Sequence, residues 1–182
     1  MLNLIWFIPL LPLAGAILNL ILGRKFGDPR SGWVATIATG TSFLVTVLVY
    51  FEMLGLKAEE RSHVEVLFSW LPVGSLQVDF ALLADPLSIV MALFITGIST
   101  LIHLYAIGYM HGDAKFSKFF LYLNLFVFSM LMLVMGENLL VTFLGWEGVG
   151  ACSYFLISFW HTRNSAAVAG KKAFVTNRIG DF

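Results

Sequence analysis

The sequence predicts an all-α polytopic membrane protein of about six transmembrane helices, the sixth cut off at the C-terminus, with a short external β-hairpin between helices two and three. Three observations predict it. Of 182 residues, 59% are apolar and 12% charged, and the mean hydropathy is +0.87; soluble domains run about 45–50% apolar and about 25% charged. Residues 1–23, 31–51, 86–110 and 119–136 contain no Asp, Glu, Lys or Arg, and 138–162 contain only Glu147. Each run is long enough to span, since a helix rising about 1.5 Å per residue crosses about 30 Å of hydrocarbon with roughly 20 residues. Finally, the stretch from Ser165 keeps a helical pattern up to Phe182 with no closing loop, so the sequence reads as cut short. Eleven basic and eleven acidic residues leave no net charge, which excludes a nucleic-acid module. One cysteine, Cys152, excludes an internal disulfide or a CxxC pair.

Taken in order, the first span has no basic residue ahead of its apolar run and is too long for a secretory h-region, so it reads as retained. Pro9 and Pro12 are expected to bend or loosen its first half. The loop GRKFGDPRSG follows, with Arg24, Lys25 and Arg30. Later alternate loops hold Lys115 and Lys118, then Arg163, Lys171 and Lys172, whereas the opposite side has Lys57 and Arg61 among six acids. The positive-inside rule then puts the N-terminus outside and the basic loops in the cytoplasm. Residues 1–54 form helices 1 and 2, 55–85 an external loop, and 86–182 helices 3–6. In the loop, Val64, Val66, Phe68 and Trp70 alternate, as do Leu76, Val78, Phe80 and Leu82, around LPVGS. That pattern reads as a hairpin with one apolar face lying on the helix ends. Asp85-Pro86 reads as an N-cap followed by proline at the first helical position.

Glu147 lies about 13 Å from one end of its predicted helix and about 22 Å from the other. An ionised side chain at that depth costs at least about 2.5–3.5 kcal/mol and faces a bundle interior or water. Glu147 is therefore the candidate for a protonatable or ion-binding site, with an acid merely paired for packing as the bland reading. Gly145, Gly148 and Gly150 in GWEGVG mark close approach of another helix. On the sixth helix Arg178 and Asp181 are three apart and lie about 20–24 Å from its start, level with Glu147. A Glu147/Arg178/Asp181 cluster is expected. His103 and His161 offer a haem-anchoring alternative, disfavoured by the lack of CxxCH and of a second deep histidine; His103 is expected to hydrogen-bond in the bundle or join a proton path. Asn124 and Ser129 read as polar contacts between helices.

The runs DPLSIVMAL, LIHLYAIGYMHGD, GWEGVGACSYFLISFW and KKAFVTNRIGDF resemble the N-terminal part of the antiporter-like membrane subunit L of respiratory complex I, the mitochondrial subunit 5 family. The resemblance implies a proton-translocating subunit of NADH:quinone oxidoreductase in the inner or plasma membrane, in which the acid matching Glu147 pairs with a lysine on a later helix. It places Arg178 and Asp181 in the same polar centre. It implies no cofactor in this chain, FMN and iron–sulfur clusters in partner subunits, and NADH and quinone bound by other subunits. The alternative is the large subunit of a multisubunit Na+/H+ antiporter, using the same Glu147 without a redox partner.

Overall fold

The computed structural model describes residues 4–74 and 76–181. Its elements are α1 (Phe7–Gly55), a 3-10 turn (Ala58–Glu60), β1 (His63–Val73), β2 (Leu76–Ala84), α2 (Pro86–Tyr109), α3 (Phe116–Met135), α4 (Leu139–Ile157) and α5 (Asn164–Asp181). The chain is mostly helical with one two-stranded sheet. Four helices, α1 to α4, are long and apolar enough to cross a membrane; α5 is not among them, because its eighteen residues carry Lys171, Lys172, Arg178 and Asp181.

α1 is two helical arms joined at Gly27 (φ 62°, ψ −164°) and Asp28 (φ −84°, ψ 134°). The expected ten-residue loop is thus a two-residue break, and Arg24 and Lys25 lie on helix. A left-handed φ is cheap only for glycine, and Pro29 then opens the second arm. The proline pair expected to bend the first arm does not break it, for the only non-helical dihedrals lie at Gly27 and Asp28. Pro9 sits in the first turn, where a missing N–H costs nothing. Pro12 deprives the Ile8 carbonyl of its donor, and the Ser42 hydroxyl from the other arm takes that place at 2.6 Å.

The second arm meets its neighbours through small polar residues. Ser31, Thr36, Thr39, Ser42 and Thr46 are buried, and Ser31, Thr36, Thr39 and Thr46 bond the carbonyl four residues back at 2.8–3.1 Å. A hydroxyl satisfied by its own helix can face another helix without water. α3 lies at the centre: Phe116 and Phe120 pack on Ala35, Ala106 and Met110 at one end, and Val127, Leu131 and Met135 pack on Val49, Ile89 and Leu82 at the other.

Two sets of loops gather at the two ends. At one, Asp28 Oδ2 lies 2.8 Å from His111 Nδ1 and accepts from the Gly112 amide at 2.8 Å, and Trp160 Nε1–H donates to Asp113 at 3.1 Å. The break in α1 and the loops after α2 and α4 therefore share an end, as the alternation of basic loops requires. The other end carries the sheet. Asp85 accepts from the Ser88 amide at 2.7 Å while Ser88 Oγ accepts from the Asp85 amide at 2.8 Å, a reciprocal cap with Pro86 at the helix start.

The hairpin forms between the expected segments, but only one strand lies on the helices. Ala81, Leu82 and Ala84 of β2 are buried, whereas Val64, Val66, Phe68 and Trp70 of β1 stay exposed. Irregularities between Val66 and Phe68 and between Ser69 and Leu71 shift the register twice, which breaks the single apolar face that strict alternation predicts. α4 also differs, ending at Ile157 rather than near Thr162. Ser158 leaves the helix with its hydroxyl on the Tyr154 carbonyl at 2.5 Å, and Gly170 of α5 packs against it.

Candidate functional site: an acid, a guanidinium and a second acid between α4 and α5

Glu147 is nine residues into the nineteen of α4, about 12 Å from its start and 15 Å from its end. The earlier end of α4 makes it more central than its sequence placement. α4 lies close on α3 because the face it turns to α3 is stripped of side chains. A methyl group at Gly145 would stand 2.3 Å from the Leu133 amide nitrogen, and one at Gly148 2.6 Å from Ser129 Oγ. These glycines are contact points of α4 on α3. Gly150 faces the other way: a methyl there would meet the Arg178 guanidinium at 3.3 Å, so glycine opens the lane through which Arg178 reaches Glu147.

The three expected residues come together. Arg178 forms an ion pair with the Glu147 carboxylate, donates from Nη2 to the Glu147 carbonyl at 3.3 Å, and lies 3.7 Å from Asp181 Oδ2, one turn on. Its guanidinium also sits over the Phe174 ring, 4.8 Å from the centroid. The side chains are 31%, 27% and 15% exposed for Glu147, Arg178 and Asp181, so the cluster is part-buried. One residue escaped the sequence reading: Trp146 Nε1–H donates to Asp181 Oδ1 at 2.7 Å. Its adjacency to Glu147 in GWEG was the available signal. A cleft of about 290 Å³ beside the cluster is lined by Met130, Leu133, Val149, Ser153, Asn177 and Asp181, among others.

With all three groups ionised, the formal charge of the cluster is one negative: two carboxylates against one guanidinium. In a low-dielectric setting such an excess draws a proton or another cation. That is what the arrangement can do chemically.

The other candidates fall elsewhere. His103 is buried in α2 with Nδ1 2.7 Å from the Ser99 carbonyl. His161 is exposed at the loop end, 3.5 Å from Lys115 Nζ, about six residues beyond the level of His103, so the two do not form a haem pair. Lys171 and Lys172 are exposed on α5. Asn124 Oδ1 meets Thr39 Oγ1 at 3.0 Å, and Ser129 Oγ bonds the Leu125 carbonyl at 2.9 Å. Cys152 is a buried free thiol. Among the described residues no three His, Cys, Asp or Glu are placed to hold a metal ion. Outside the spans, Asp113 is held below the ordinary carboxylate range by the Lys115 amide, the Trp160 indole N–H and the Lys115 charge.

Comparison with known proteins matches these same segments. The family described as NADH-ubiquinone oxidoreductase (complex I), chain 5 N-terminus, matches residues 70–120, and the NADH:quinone oxidoreductase/Mrp antiporter transmembrane family matches 136–182, which includes all of the cluster. NADH-quinone oxidoreductase subunit L of Mycobacterium tuberculosis is 46% identical over 97% of this chain, and that of Escherichia coli 38% over 98%. The chain matches the N-terminal part of subunit L (chain 5) of complex I. It spans 28% and 29% of the length of those two relatives. The fold agrees with two solved membrane complexes. A chain of the archaeal membrane-bound sulfane sulfur reductase superposes with a TM-score of 0.82 over 98% of this chain and 34% of its own, at 17% identity. A chain of the Mrp complex from Dietzia sp. DQ12-45-1b superposes with a TM-score of 0.68 over 85% and 16%, at 25% identity.

Proposed function

We propose that this chain is part of a proton-translocating membrane subunit of NADH:quinone oxidoreductase, with Glu147 as an acid that takes up and releases a proton. The observation that carries the reading is the Glu147–Arg178–Asp181 cluster at mid-helix, one positive charge short. Arg178 holds Glu147 in place, and Asp181, fixed by Trp146, supplies the second negative charge. Movement of a cation toward or away from the cluster changes the affinity of Glu147 for a proton, and in the family that cation is a lysine on a later helix. The subunit works with other membrane subunits in a bilayer, as the multisubunit relatives do, while NADH, quinone, FMN and iron–sulfur clusters belong to partners. With the basic loops at the Asp28–His111 end in the cytoplasm, the N-terminus and the hairpin face outside, as suits the plasma membrane of a bacterium.

The test is Glu147→Gln in the full-length subunit within its complex. Proton translocation per NADH oxidised should fall while the complex still assembles; wild-type translocation would remove the role. A second reading, the large subunit of a Na+/H+ antiporter, is favoured by the match of residues 136–182 to the shared transmembrane family and by the Mrp superposition. Sodium-dependent transport by the parent protein without NADH oxidation would select it.

A further inference from the structure

Four contacts join α4 and α5, about one turn apart. Gly170 lies on Ser158, the Phe174 ring sits 5.3 Å from that of Tyr154, Arg178 passes Gly150, and Asp181 meets Trp146. The α4 members follow at intervals of four residues, so Trp146, Gly150, Tyr154 and Ser158 form one stripe facing α5. Trp146 is its last rung. Glu147 lies one residue off the stripe, about 100° round the helix, and Arg178 reaches past Gly150 to pair with it.

Arg178 has a rival acid nearer in sequence. Asp181 is three residues on, a spacing at which a guanidinium and a carboxylate of one helix pair readily, and it is the more buried acid, 15% exposed against 31% for Glu147. Yet Arg178 Nη1 stays 3.7 Å from Asp181 Oδ2 and pairs with Glu147. What separates the two acids is what else they hold. Asp181 Oδ1 accepts from the Trp146 indole at 2.7 Å, whereas among the described residues the Glu147 carboxylate has Arg178 as its partner. An indole N–H donates and cannot accept, so it engages a carboxylate without drawing on the guanidinium, and being neutral it leaves the cluster one negative charge in excess. A bond of this length to an ionised acceptor is charge-assisted and fixes the geometry of both groups. The ring itself is 54% exposed, so the N–H, and not burial between the helices, is what ties Trp146 to α5.

We propose that Trp146 is a positioning residue: by holding Asp181 it keeps the Arg178 guanidinium on Glu147. It acts through Asp181 and Arg178 and carries no proton of the reaction itself. The inference rests on the proposed function, in which Glu147 is the acid that exchanges a proton, and adds that the residue next to that acid decides which of two carboxylates holds the cation.

Cryo-EM of the full-length subunit in its assembled complex reads the assignment, and proton translocation per NADH reads its consequence. Trp146→Phe keeps a ring and removes the N–H. In that variant Arg178 should close on Asp181 from 3.7 Å to about 2.7–2.9 Å and leave Glu147, and translocation should fall severalfold. Adding Asp181→Asn removes the rival charge, so Arg178 should return to Glu147 in the double variant; a ring needed only for packing would leave Arg178 displaced whatever stands at position 181. Arg178 still on Glu147 in Trp146→Phe, or wild-type translocation there, overturns the proposal. If Trp146→Phe does not assemble, ultraviolet resonance Raman difference spectra of wild type against Asp181→Asn decide it. One tryptophan should show a weakened indole hydrogen bond, and an unchanged tryptophan spectrum overturns the proposal. Wild-type translocation in Glu147→Gln would remove the proposed function and leave the Arg178 geometry of Trp146→Phe to be read by itself, so the two failures are distinguishable.

Discussion

The two halves of the bundle treat polar groups in opposite ways. Between α1, α2 and α3 the polar side chains are small or neutral, and most hydroxyls are tied to the carbonyl four residues back. Between α4 and α5 the polar groups are ionised side chains that meet across the interface, with a quarter to a third of Glu147 and Arg178 still exposed. Neutral hydrogen bonds allow helices to pack closely without solvent. An ion pair with an extra carboxylate calls for water or a further cation instead. On the proposed reading, the difference makes α1 to α3 the scaffold and puts the chemistry where α5 leans on α4, which Gly145 and Gly148 seat on α3.

The contrast breaks most severely if α4 is pushed off the scaffold. Gly145→Leu puts a branched side chain where the Leu133 backbone already lies within 2.3 Å of a methyl position. Overpacking costs about 1–3 kcal/mol where neighbours can give, and backbone cannot, so the full-length variant should fail to accumulate in membranes by immunoblot. Removing the cation comes next. Arg178→Ala leaves two carboxylates without their guanidinium; breaking a fully buried pair costs about 3–5 kcal/mol, and partial exposure reduces that to about 1–2 kcal/mol. Translocation should fall sharply in Arg178→Ala and partly return in Arg178→Lys, which keeps charge but loses the forked geometry.

On the scaffold side, Ser42→Ala orphans the Ile8 carbonyl already abandoned by Pro12. A buried acceptor left unmet costs about 1–3 kcal/mol, which should appear as a lower unfolding temperature with translocation per NADH unchanged. The smallest effect lies in the loop. Asp113 titrates below its ordinary 3.8, so its stabilisation is present above that value and is lost as pH falls through the lowered one. Asp113→Asn should remove this acid-dependent part, a small change in unfolding temperature because the side chain is solvated. An equal acid loss in both proteins would show that the Lys115 and Trp160 contacts do not matter in solution.

How much of this was legible in the sequence depended on the kind of interaction. Runs free of charge marked the helices, because hydrocarbon penalises every charge alike. Asp85-Pro86-Leu-Ser88 announced a cap that needs only four consecutive residues. The cluster was legible because depth follows from counting residues, and Arg178 and Asp181 sit at the depth of Glu147. Contacts decided by three-dimensional closeness were not. Nothing local says that Ser42 rescues Ile8, that Trp146 reaches Asp181, or that bulges turn β1 outward. The end of α4 was misplaced because Ser158–Thr162 carries no Asp, Glu, Lys or Arg to mark the stop, and the close approach of Gly170 to Ser158 is a contact between distant residues.

The claim at the centre is that Glu147 changes its protonation during turnover, and infrared difference spectroscopy of the full-length complex reads that change directly. Driving the wild-type complex with NADH should produce a protonated-carboxyl carbonyl band that is absent from Glu147→Gln and shifts in Glu147→Asp. Full proton translocation with no carboxyl band assignable to Glu147 would contradict the account.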